Sequence, residues 1–294
     1  MLEENKYAHP EFQNWEGLAI KKHNGEIFYR NYSGYETRNE STLKLIYESI
    51  QEYGVNDFDW VMINTGDYSQ DHINNGQVTD INGQNFLCFS YSTQSKKHYL
   101  TIPDFVFDHW KQTGLDDYES TRNQLKRFDV QKPESDLLGW RGANTNKSRE
   151  KLVSLDDKLN FDCEFISWDR SNPEKLTAVN FLSFQEQINK WRFLIDMEGV
   201  GYSGRLKLFL ASPRAVFIQE RPHEEYFFDK LIPWVHYIPV QNDLSDLNEK
   251  VEMLKSDTQL EQEIIQNQQN FSQLYLTRDY AKFYLAHTLS ALVG

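Results

Sequence analysis

The sequence predicts an α/β protein with two Rossmann-like domains and a group of C-terminal helices. From residue 137 onward, short apolar strands alternate with helical segments, which indicates a parallel sheet covered on both faces. A polar segment interrupted by proline, residues 131–135, separates this alternation from an earlier group of strands and helices. From Leu244 the pattern is helical almost to the C terminus. We therefore predict two domains, one over residues 1–131 and one over residues 132–294.

The N-terminal half begins with a β-hairpin, because apolar residues flank Asn24-Gly25, a dipeptide that favours a tight turn. The predicted strands of this half are 18–22, 27–29, 58–63 and 86–91, and its predicted helices are 41–53 and 116–127. In the C-terminal half the predicted strands are 137–142, 161–166, 192–195, 215–219 and 237–240. The predicted helices there are 148–157, 184–188, one that starts at residue 205, 244–255, 259–275 and 278–292.

Charge, cysteine content and hydrophobicity argue against several classes of protein. The formal net charge of -13 argues against non-specific nucleic-acid binding, which needs a surplus of Lys and Arg. Cys88 and Cys163 lie in separate apolar runs, so we expect two free thiols. The first residues are polar and acidic, unlike a signal peptide, and no apolar run reaches the length of a membrane span. We therefore expect a cytoplasmic protein.

A glycine-rich turn follows the strand that ends at Ile195. Its spacing is Gly199-x-Gly201-x-x-Gly204, and a strand before it with a helix after it is the general design for holding a diphosphate. Glu220 ends the next strand about 20 residues later, where a dinucleotide fingerprint has its ribose-binding acid. Arg205 follows the turn directly and suits a diphosphate that departs as a leaving group. A tight turn without a ligand is the alternative.

A second loop follows the strand that ends at Gly142. It contains Arg141, Gly142 and Ala143, and Arg149 lies in the helix after it. In open α/β sheets ligands bind at the carboxyl ends of strands, and the fork of an arginine suits phosphate. The alternative is that Arg141 and Arg149 pair with the plentiful carboxylates of this chain.

A third candidate, Asp67, lies just past the strand 58–63. An aspartate there is commonly a turn residue or a helix cap. The same carboxylate can also act as a general base on an acceptor hydroxyl. Both interpretations are left open by the residues alone.

Three blocks of the chain carry a family resemblance. They are I-N-T-G-D-Y-S-Q, W-R-G-A-N-T-N-K-S-R-E, and W-R-F-L-I-D-M-E-G-V-G-Y-S-G-R with the later P-W-V-H-Y-I-P-V. In this order they resemble glycosyltransferase family 90, which comprises capsule-associated and lipopolysaccharide-modifying enzymes and the protein O-glucosyltransferases. The resemblance extends from about Asp59 to Tyr275. It implies a GT-B fold with two Rossmann-like domains facing a cleft, of which residues 1–131 would form the acceptor-side domain and residues 132–294 the nucleotide-sugar-binding domain. It also implies inverting transfer from a UDP-sugar to a hydroxyl of a surface glycan such as lipopolysaccharide or capsule, with no metal or other cofactor.

The resemblance also assigns roles to residues. Asp67 takes the place of the general base, and Arg205 that of the arginine that stabilises departing UDP. Arg149 matches a phosphate-binding arginine, and Ala143 replaces a serine, so that any contact there is through the backbone. The residues expected to bind the nucleotide sugar are Arg141, Gly142, Ala143, Arg149, Val200, Gly201, Tyr202, Ser203, Gly204, Arg205 and Glu220.

Partners follow from the same resemblance: a UDP-sugar donor, a glycan or glycolipid acceptor, no nucleic acid, and peripheral contact with the inner membrane face if the product is a membrane glycan. The segment after Phe105 departs from the animal members of the family, which leaves the acceptor open. Two other functions remain as alternatives. One is an NAD-dependent oxidoreductase that uses the glycine turn at 199–204, and the other is a non-catalytic nucleotide-sugar-binding protein.

Overall fold

The computed structural model describes residues 2–4, 8–67, 73–74, 76–94, 100–127, 132–155, 159–167 and 179–293. The chain divides into two compact units. The first unit comprises Met1–His109, Pro222–Asp229 and Arg278–Gly294, and the second comprises Trp110–Arg221 and Lys230–Thr277. The predicted boundary after residue 131 therefore lies inside the second unit.

Within the described residues, the first unit is built on a six-stranded mixed sheet with the order β1-β3-β2-β4-β6-β5. Its strands are β1 (Leu2–Glu4), β2 (Gly17–His23), β3 (Glu26–Asn31), β4 (Phe58–Asn64), β5 (Gln77–Thr79) and β6 (Asn85–Ser90), and its helices are α1 (Glu36–Tyr53) and α8 (Arg278–Val293). Strands β4 and β6 are parallel neighbours, whereas β2 is antiparallel to both β3 and β4. The predicted hairpin is β2–β3, and Asn24 and Gly25 form its turn with positive φ angles of 51° and 79°.

The second unit is built on a five-stranded parallel sheet with the order β11-β10-β9-β7-β8. Its strands are β7 (Ser135–Gly142), β8 (Phe161–Phe165), β9 (Trp191–Asp196), β10 (Ala215–Gln219) and β11 (Ile238–Val240). Its helices are α2 (Tyr118–Arg127), α3 (Lys147–Ser154), α4 (Phe184–Lys190), α5 (Leu206–Phe209), α6 (Leu247–Ser256) and α7 (Thr258–Tyr275). Strands alternate with helices here, as the sequence predicts. The α/β fold class is confirmed.

Sheet order in the second unit determines where a ligand can bind. The strand that follows β7 in sequence, β8, lies on one side of β7, and the next strand, β9, lies on its other side. All five strands are parallel, but successive strands are added on opposite sides of β7, so the order of strand addition switches between β7 and β9. In doubly wound sheets the crevice for a ligand opens at the carboxyl ends of the strands at this topological switch point.

Two helices, α8 and α2, are grouped with a different part of the chain from the one that the sequence predicts. The C-terminal helix α8 lies against α1 in the first unit, where Arg278 pairs with Glu48 and Lys282 with Glu52. Helix α2 belongs to the second unit, and the Tyr118 hydroxyl donates a 2.7 Å hydrogen bond to the carbonyl of Leu276, just after α7. Contacts between segments distant in sequence decide both placements.

The central strands of the second unit are buried on both faces. Their side chains form one core with α3, α6 and α7, in which each fully buried large apolar side chain contributes roughly 1.5–3 kcal/mol. Residues of this core include Leu138, Trp140, Phe193, Ile195, Phe217, Leu247, Val251 and Ile264. Apolar side chains of α3, α6 and α7 therefore cover this part of the sheet.

Several elements differ from the sequence prediction. The helix predicted to start at Arg205 is only one turn, Leu206–Phe209, and Pro213 stands soon after it, where a longer helix would have to continue. Helix α1 begins at Glu36, five residues before the prediction, because its N-cap Tyr35 makes no side-chain cap hydrogen bond and so gives no sequence signal. The three-residue strands β1 and β5 were not predicted.

Two further expectations concern thiols and membrane spans. Neither Cys88 nor Cys163 forms a disulfide, as predicted; Cys88 is buried and Cys163 is half-buried. None of the helices in the described ranges combines the length and hydrophobicity needed to cross a bilayer.

Gly139 in β7 provides a test of the core. A Cβ placed on Gly139 would lie 1.7 Å from a ring carbon of Trp191, a fully buried side chain whose indole nitrogen donates to Asp162. We expect Gly139→Ala to lower the free energy of unfolding by about 1–3 kcal/mol, because Trp191 would have to leave its position. Thermal unfolding followed by circular dichroism measures the change, and an unchanged midpoint would contradict this packing.

Candidate active site

The loops after β7 and β9 meet at the switch point of the second unit. Asn146, which caps α3 by accepting a hydrogen bond from the backbone N–H of Arg149, joins them. Its side-chain amide donates to the carbonyls of Glu198 and Gly199, at 3.1 and 2.8 Å. The structure therefore brings together the two loops that the sequence singled out separately.

Arg149 is the centre of this arrangement. It is buried, and its guanidinium donates to three backbone carbonyls: Ala143 at 2.9 Å, Met197 at 3.3 Å and Glu198 at 2.7 Å. Burial, and next the charge of Arg205, lower the pKa of Arg149 to about 9. In the part of the chain that the structure describes, no carboxylate forms an ion pair with it. Arg149 is thus a buried cation held by neutral oxygens.

Arg205 lies beside Arg149. The two guanidiniums are 5.7 and 5.3 Å from the ring centre of Trp140, and Arg205 also donates a hydrogen bond to the backbone carbonyl of Arg141. Burial lowers the pKa of Arg205, and the charge of Asp196 opposes this effect. Arg205, too, has no ion-pair partner among the described residues. Two cations close together with no paired carboxylate form a site that an anion would stabilise.

Asp196, at the carboxyl end of β9, fixes the loop that carries Arg205. It is fully buried; one carboxylate oxygen accepts a 2.6 Å hydrogen bond from the Ser203 hydroxyl, and the other lies 2.6 Å from a guanidinium nitrogen of Arg221. Sequence reasoning missed Asp196 and Arg221. A charged residue directly after the apolar run Phe193-Leu194-Ile195 is the signal that could have found Asp196, because a buried strand rarely ends in an unpartnered carboxylate.

Two more charged side chains belong to this region, Glu198 in the loop and Lys207 in α5. Burial raises the pKa of Glu198, while the charges of Arg221 and Arg149 act in the opposite direction. Lys207 is fully buried and donates a 3.2 Å hydrogen bond to the carbonyl of Gly204. Positive charge is therefore in excess around the loop, with Arg149, Arg205, Lys207 and Arg221 against Asp196 and Glu198.

The three glycines of the loop do not form a dinucleotide fingerprint in the usual way. None of them has a positive φ, and the helix after them, α5, has only four residues. Gly199 is needed for close approach: a Cβ there would lie 3.2 Å from the carbonyl oxygen of Tyr202 and 3.4 Å from a guanidinium nitrogen of Arg149. The short α5 argues against the oxidoreductase alternative, whose pyrophosphate is held at the N terminus of a full helix.

Arg141 differs from the expectation. Its guanidinium contacts the Asp162 carboxylate at 2.7 Å and lies 3.6 Å from that of Glu164, both on the adjacent strand β8. The alternative that both arginines pair with carboxylates therefore holds for Arg141. Arg149 instead donates its hydrogen bonds to backbone carbonyls. The backbone of Arg141 still belongs to the site, since its carbonyl accepts from Arg205.

The remaining predicted residues of the second unit lie at the carboxyl edge of the sheet. Gly142, Gly201, Tyr202 and Ser203 are buried, Ala143 and Gly204 are half-buried, and Val200 and Glu220 are exposed. Glu220 directly follows β10, where its backbone N–H donates to the carbonyl of Val240. Across the described ranges, no group of three or more His, Cys, Asp and Glu side chains is arranged to hold a metal ion.

Asp67 lies in the first unit, three residues after the end of β4. Its side chain is 36% exposed, and its Oδ1 lies 2.8 Å from Nη1 of Arg38, a residue in the first turn of α1. Asn64 at the end of β4 and Thr65 after it are buried, so Asp67 follows a well-packed strand end closely. The neighbouring block residues Tyr68, Ser69 and Gln70 lie outside the described residues.

Comparison with known proteins identifies the family. The profile of Glycosyl transferase family 90 matches residues 15–292. Protein O-glucosyltransferase 1 of Rattus norvegicus is 29% identical over 220 residues, which cover 69% of this chain and 55% of the relative. O-glucosyltransferase rumi of Drosophila pseudoobscura pseudoobscura is 27% identical over 265 residues, 79% of this chain and 60% of the relative. The chain thus spans about half the length of the curated relatives it matches.

A solved structure is also similar. A glycosyltransferase from Rickettsia africae ESF-5 aligns with a TM-score of 0.42 and 12% identity over 87% of this chain and 82% of the other. The family profile covers nearly the whole chain and includes Asp67 and both loops at the switch point. The chain therefore belongs to glycosyl transferase family 90.

Proposed function

We propose that this protein transfers a sugar from a UDP-sugar to a hydroxyl group, with inversion at the anomeric carbon and without a metal ion. Family membership supports glycosyl transfer as the reaction class. The proposal of a diphosphate-containing donor rests on Arg149 and Arg205, two cations at the carboxyl edge of a parallel sheet. Their guanidiniums contact backbone carbonyls. A diphosphate supplies the negative charge that such a pair needs.

The proposed reaction is a single displacement. The acceptor oxygen attacks the anomeric carbon from the face opposite UDP, and Asp67 takes the acceptor proton as that bond forms. The bond between the anomeric carbon and the β-phosphate oxygen breaks, and its electron pair leaves with UDP. Attack from the opposite face inverts the configuration of the anomeric carbon.

The arginines act on the leaving group in this proposal. Negative charge grows on the diphosphate as the glycosidic bond breaks, and preorganised cations stabilise such charge without reorganisation. Protein carbonyls hold both side chains in place, Arg149 through those of both loops and Arg205 through that of Arg141. The proposed electrostatic role therefore needs no rearrangement of these two side chains.

The other residues of the proposed donor site have smaller roles. Gly142 and Ala143 contribute backbone groups, and the exposed Glu220 at the end of β10 is suited to a ribose hydroxyl. Val200, Gly201, Tyr202, Ser203 and Gly204 form the loop proposed to surround the diphosphate. For Arg141 we propose a role through its backbone carbonyl, because its guanidinium is paired with Asp162.

For the acceptor we propose a hydroxyl of a glycan or glycolipid, such as lipopolysaccharide or capsule, modified on the cytoplasmic side of a membrane with peripheral contact. The curated relatives are named protein O-glucosyltransferases. The segment after Phe105 departs from the animal members of the family, which motivates an acceptor other than theirs.

Asp67→Asn tests the proposed base. The amide cannot take a proton, so we expect UDP release to fall at least about a hundredfold while UDP affinity stays within about twofold. The assay is a panel of UDP-glucose, UDP-galactose, UDP-xylose and UDP-N-acetylglucosamine, with water or an added glycan as acceptor and UDP as the measured product.

The matched control is Asp59→Asn, the same chemical change on β4 at a side chain that pairs with Lys21. It should leave UDP release unchanged. Near-normal turnover of Asp67→Asn would remove Asp67 as the base, and a panel in which no donor yields UDP would contradict the proposed reaction.

Arg205→Ala tests the diphosphate site. Losing one charge-assisted contact to phosphate removes about 1.5–3 kcal/mol, so we expect UDP to bind roughly ten- to a hundredfold more weakly, with a slower reaction as well. Isothermal titration calorimetry measures the affinity. Arg192→Ala is the control, since Arg192 lies at the amino end of β9 and pairs with Glu261. Equal UDP affinity of Arg205→Ala and the wild type would exclude Arg205 from the site.

A further inference from the structure

The side chain of Arg38 reaches from the first turn of α1 to the segment that carries Asp67. Its Nη1 lies 2.8 Å from Oδ1 of Asp67 and donates a longer hydrogen bond, 3.3 Å, to the backbone carbonyl of Thr65. One nitrogen thus contacts both the carboxylate and the backbone two residues before it. This contact defines where the Asp67 side chain points relative to the end of β4.

The guanidinium of Arg38 is itself fixed by aromatic rings. Its central carbon is 4.4 Å from the ring centre of Tyr35 and 4.9 Å from that of Phe105. Cation–π contacts of this kind are attractive, and more strongly so when they are shielded from water. The planar guanidinium makes them in a way that a lysine ammonium does not reproduce. Arg38 therefore presents a rigid cation to Asp67.

The backbone around Arg38 is also tied to the strand ends. The carbonyl of Arg38 accepts a 2.7 Å hydrogen bond from the Thr42 hydroxyl, which contacts the Tyr91 hydroxyl just after β6. The side chain of the next residue, Asn39, accepts a 2.7 Å hydrogen bond from the Thr65 hydroxyl. Hydrogen bonds therefore tie the first turn of α1 to the end of β4.

The two oxygens of the Asp67 carboxylate differ in their surroundings. Oδ1 is paired with Arg38, whereas Oδ2 has no hydrogen-bond or ion-pair partner within the described ranges. A general base needs one oxygen free for the incoming proton and a fixed orientation for that oxygen. The asymmetry of the contacts gives Asp67 both.

We infer that Arg38 is the positioning residue of Asp67: it holds the carboxylate through Oδ1 and leaves Oδ2 to accept the proton of the acceptor hydroxyl. The inference rests on the proposed function, in which Asp67 is the base. A partly exposed ion pair contributes little to stability, so its principal effect is on the orientation of Asp67. Misorientation of a catalytic group lowers a rate ten- to a hundredfold.

The test is a double-mutant cycle of the wild type, Arg38→Gln, Asp67→Asn and the combined variant. The measurements are kcat for UDP release, with the UDP-sugar that reacts fastest in the panel, and UDP affinity by calorimetry. We expect Arg38→Gln to lower kcat ten- to a hundredfold with UDP affinity within about twofold, and the combined variant to be no slower than Asp67→Asn.

Two further variants complete the experiment. Lys44→Gln removes a cation from the same helix, where Lys44 pairs with Asp108, and should keep kcat within about twofold. Arg38→Lys keeps the charge without the planar group, so its kcat should fall between those of the wild type and Arg38→Gln. If Arg38→Gln does not fold, as judged by circular dichroism, Arg38→Lys decides: reduced kcat with unchanged UDP affinity supports the inference, and wild-type kcat overturns it.

The outcomes separate this inference from the proposed function. If Asp67→Asn is inactive and Arg38→Gln keeps wild-type kcat, the inference is wrong and the base assignment stands. If the two losses multiply in the combined variant, Arg38 acts independently of Asp67, which also overturns the inference. If Asp67→Asn itself keeps wild-type kcat, the base assignment of the proposed function is wrong, and the role of Arg38 is lost with it.

Discussion

The candidate site of the second unit depends on the contacts of one buried carboxylate, that of Asp196. One of its oxygens accepts from Ser203 in the glycine loop, and the other pairs with Arg221 after β10. A fully buried charge is costly unless it is paired and hydrogen-bonded, so the sequence between Asp196 and Ser203 must fold back to the strand end. The shape of the loop follows from this requirement, and the loop in turn sets the position of Arg205.

The fixed loop keeps two buried cations, Arg149 and Arg205, close together in a protein that is acidic overall. The chain has a net charge of -13, yet Arg149 and Arg205 share the ring of Trp140 and donate to carbonyls. The nearby negative charge of Asp196 offsets part of their desolvation but is already engaged with Ser203 and Arg221. Removing charged groups from water raises the strength of their attraction to an incoming anion. The proposed diphosphate selectivity is therefore a property of a few buried charges and does not require a basic surface.

Most of the secondary structure could be predicted from the sequence, because apolar periodicity and turn residues act locally; β10, for example, has the predicted bounds Ala215–Gln219. What could not be predicted depends on pairing between distant segments. Arg141 turned out to face Asp162 because β8 lies beside β7, which only the strand order reveals. The partner of Asp67, Arg38, comes from a helix that precedes β4, and no spacing in the sequence indicates their contact. For the same reason the sequence does not indicate that α8, which ends the predicted C-terminal domain, is grouped with the first unit.

The central claim is that the cations around Trp140 bind a diphosphate, and calorimetric titration of the wild-type protein with UDP, UMP, uridine and NAD tests it most directly. If Arg149 and Arg205 hold the diphosphate, UDP should bind at least about tenfold more tightly than UMP and far more tightly than uridine, because each charge-assisted contact contributes about 1.5–3 kcal/mol. NAD should bind more weakly than UDP. Equal affinities for UDP and uridine, or tighter binding of NAD than of UDP, would contradict the account.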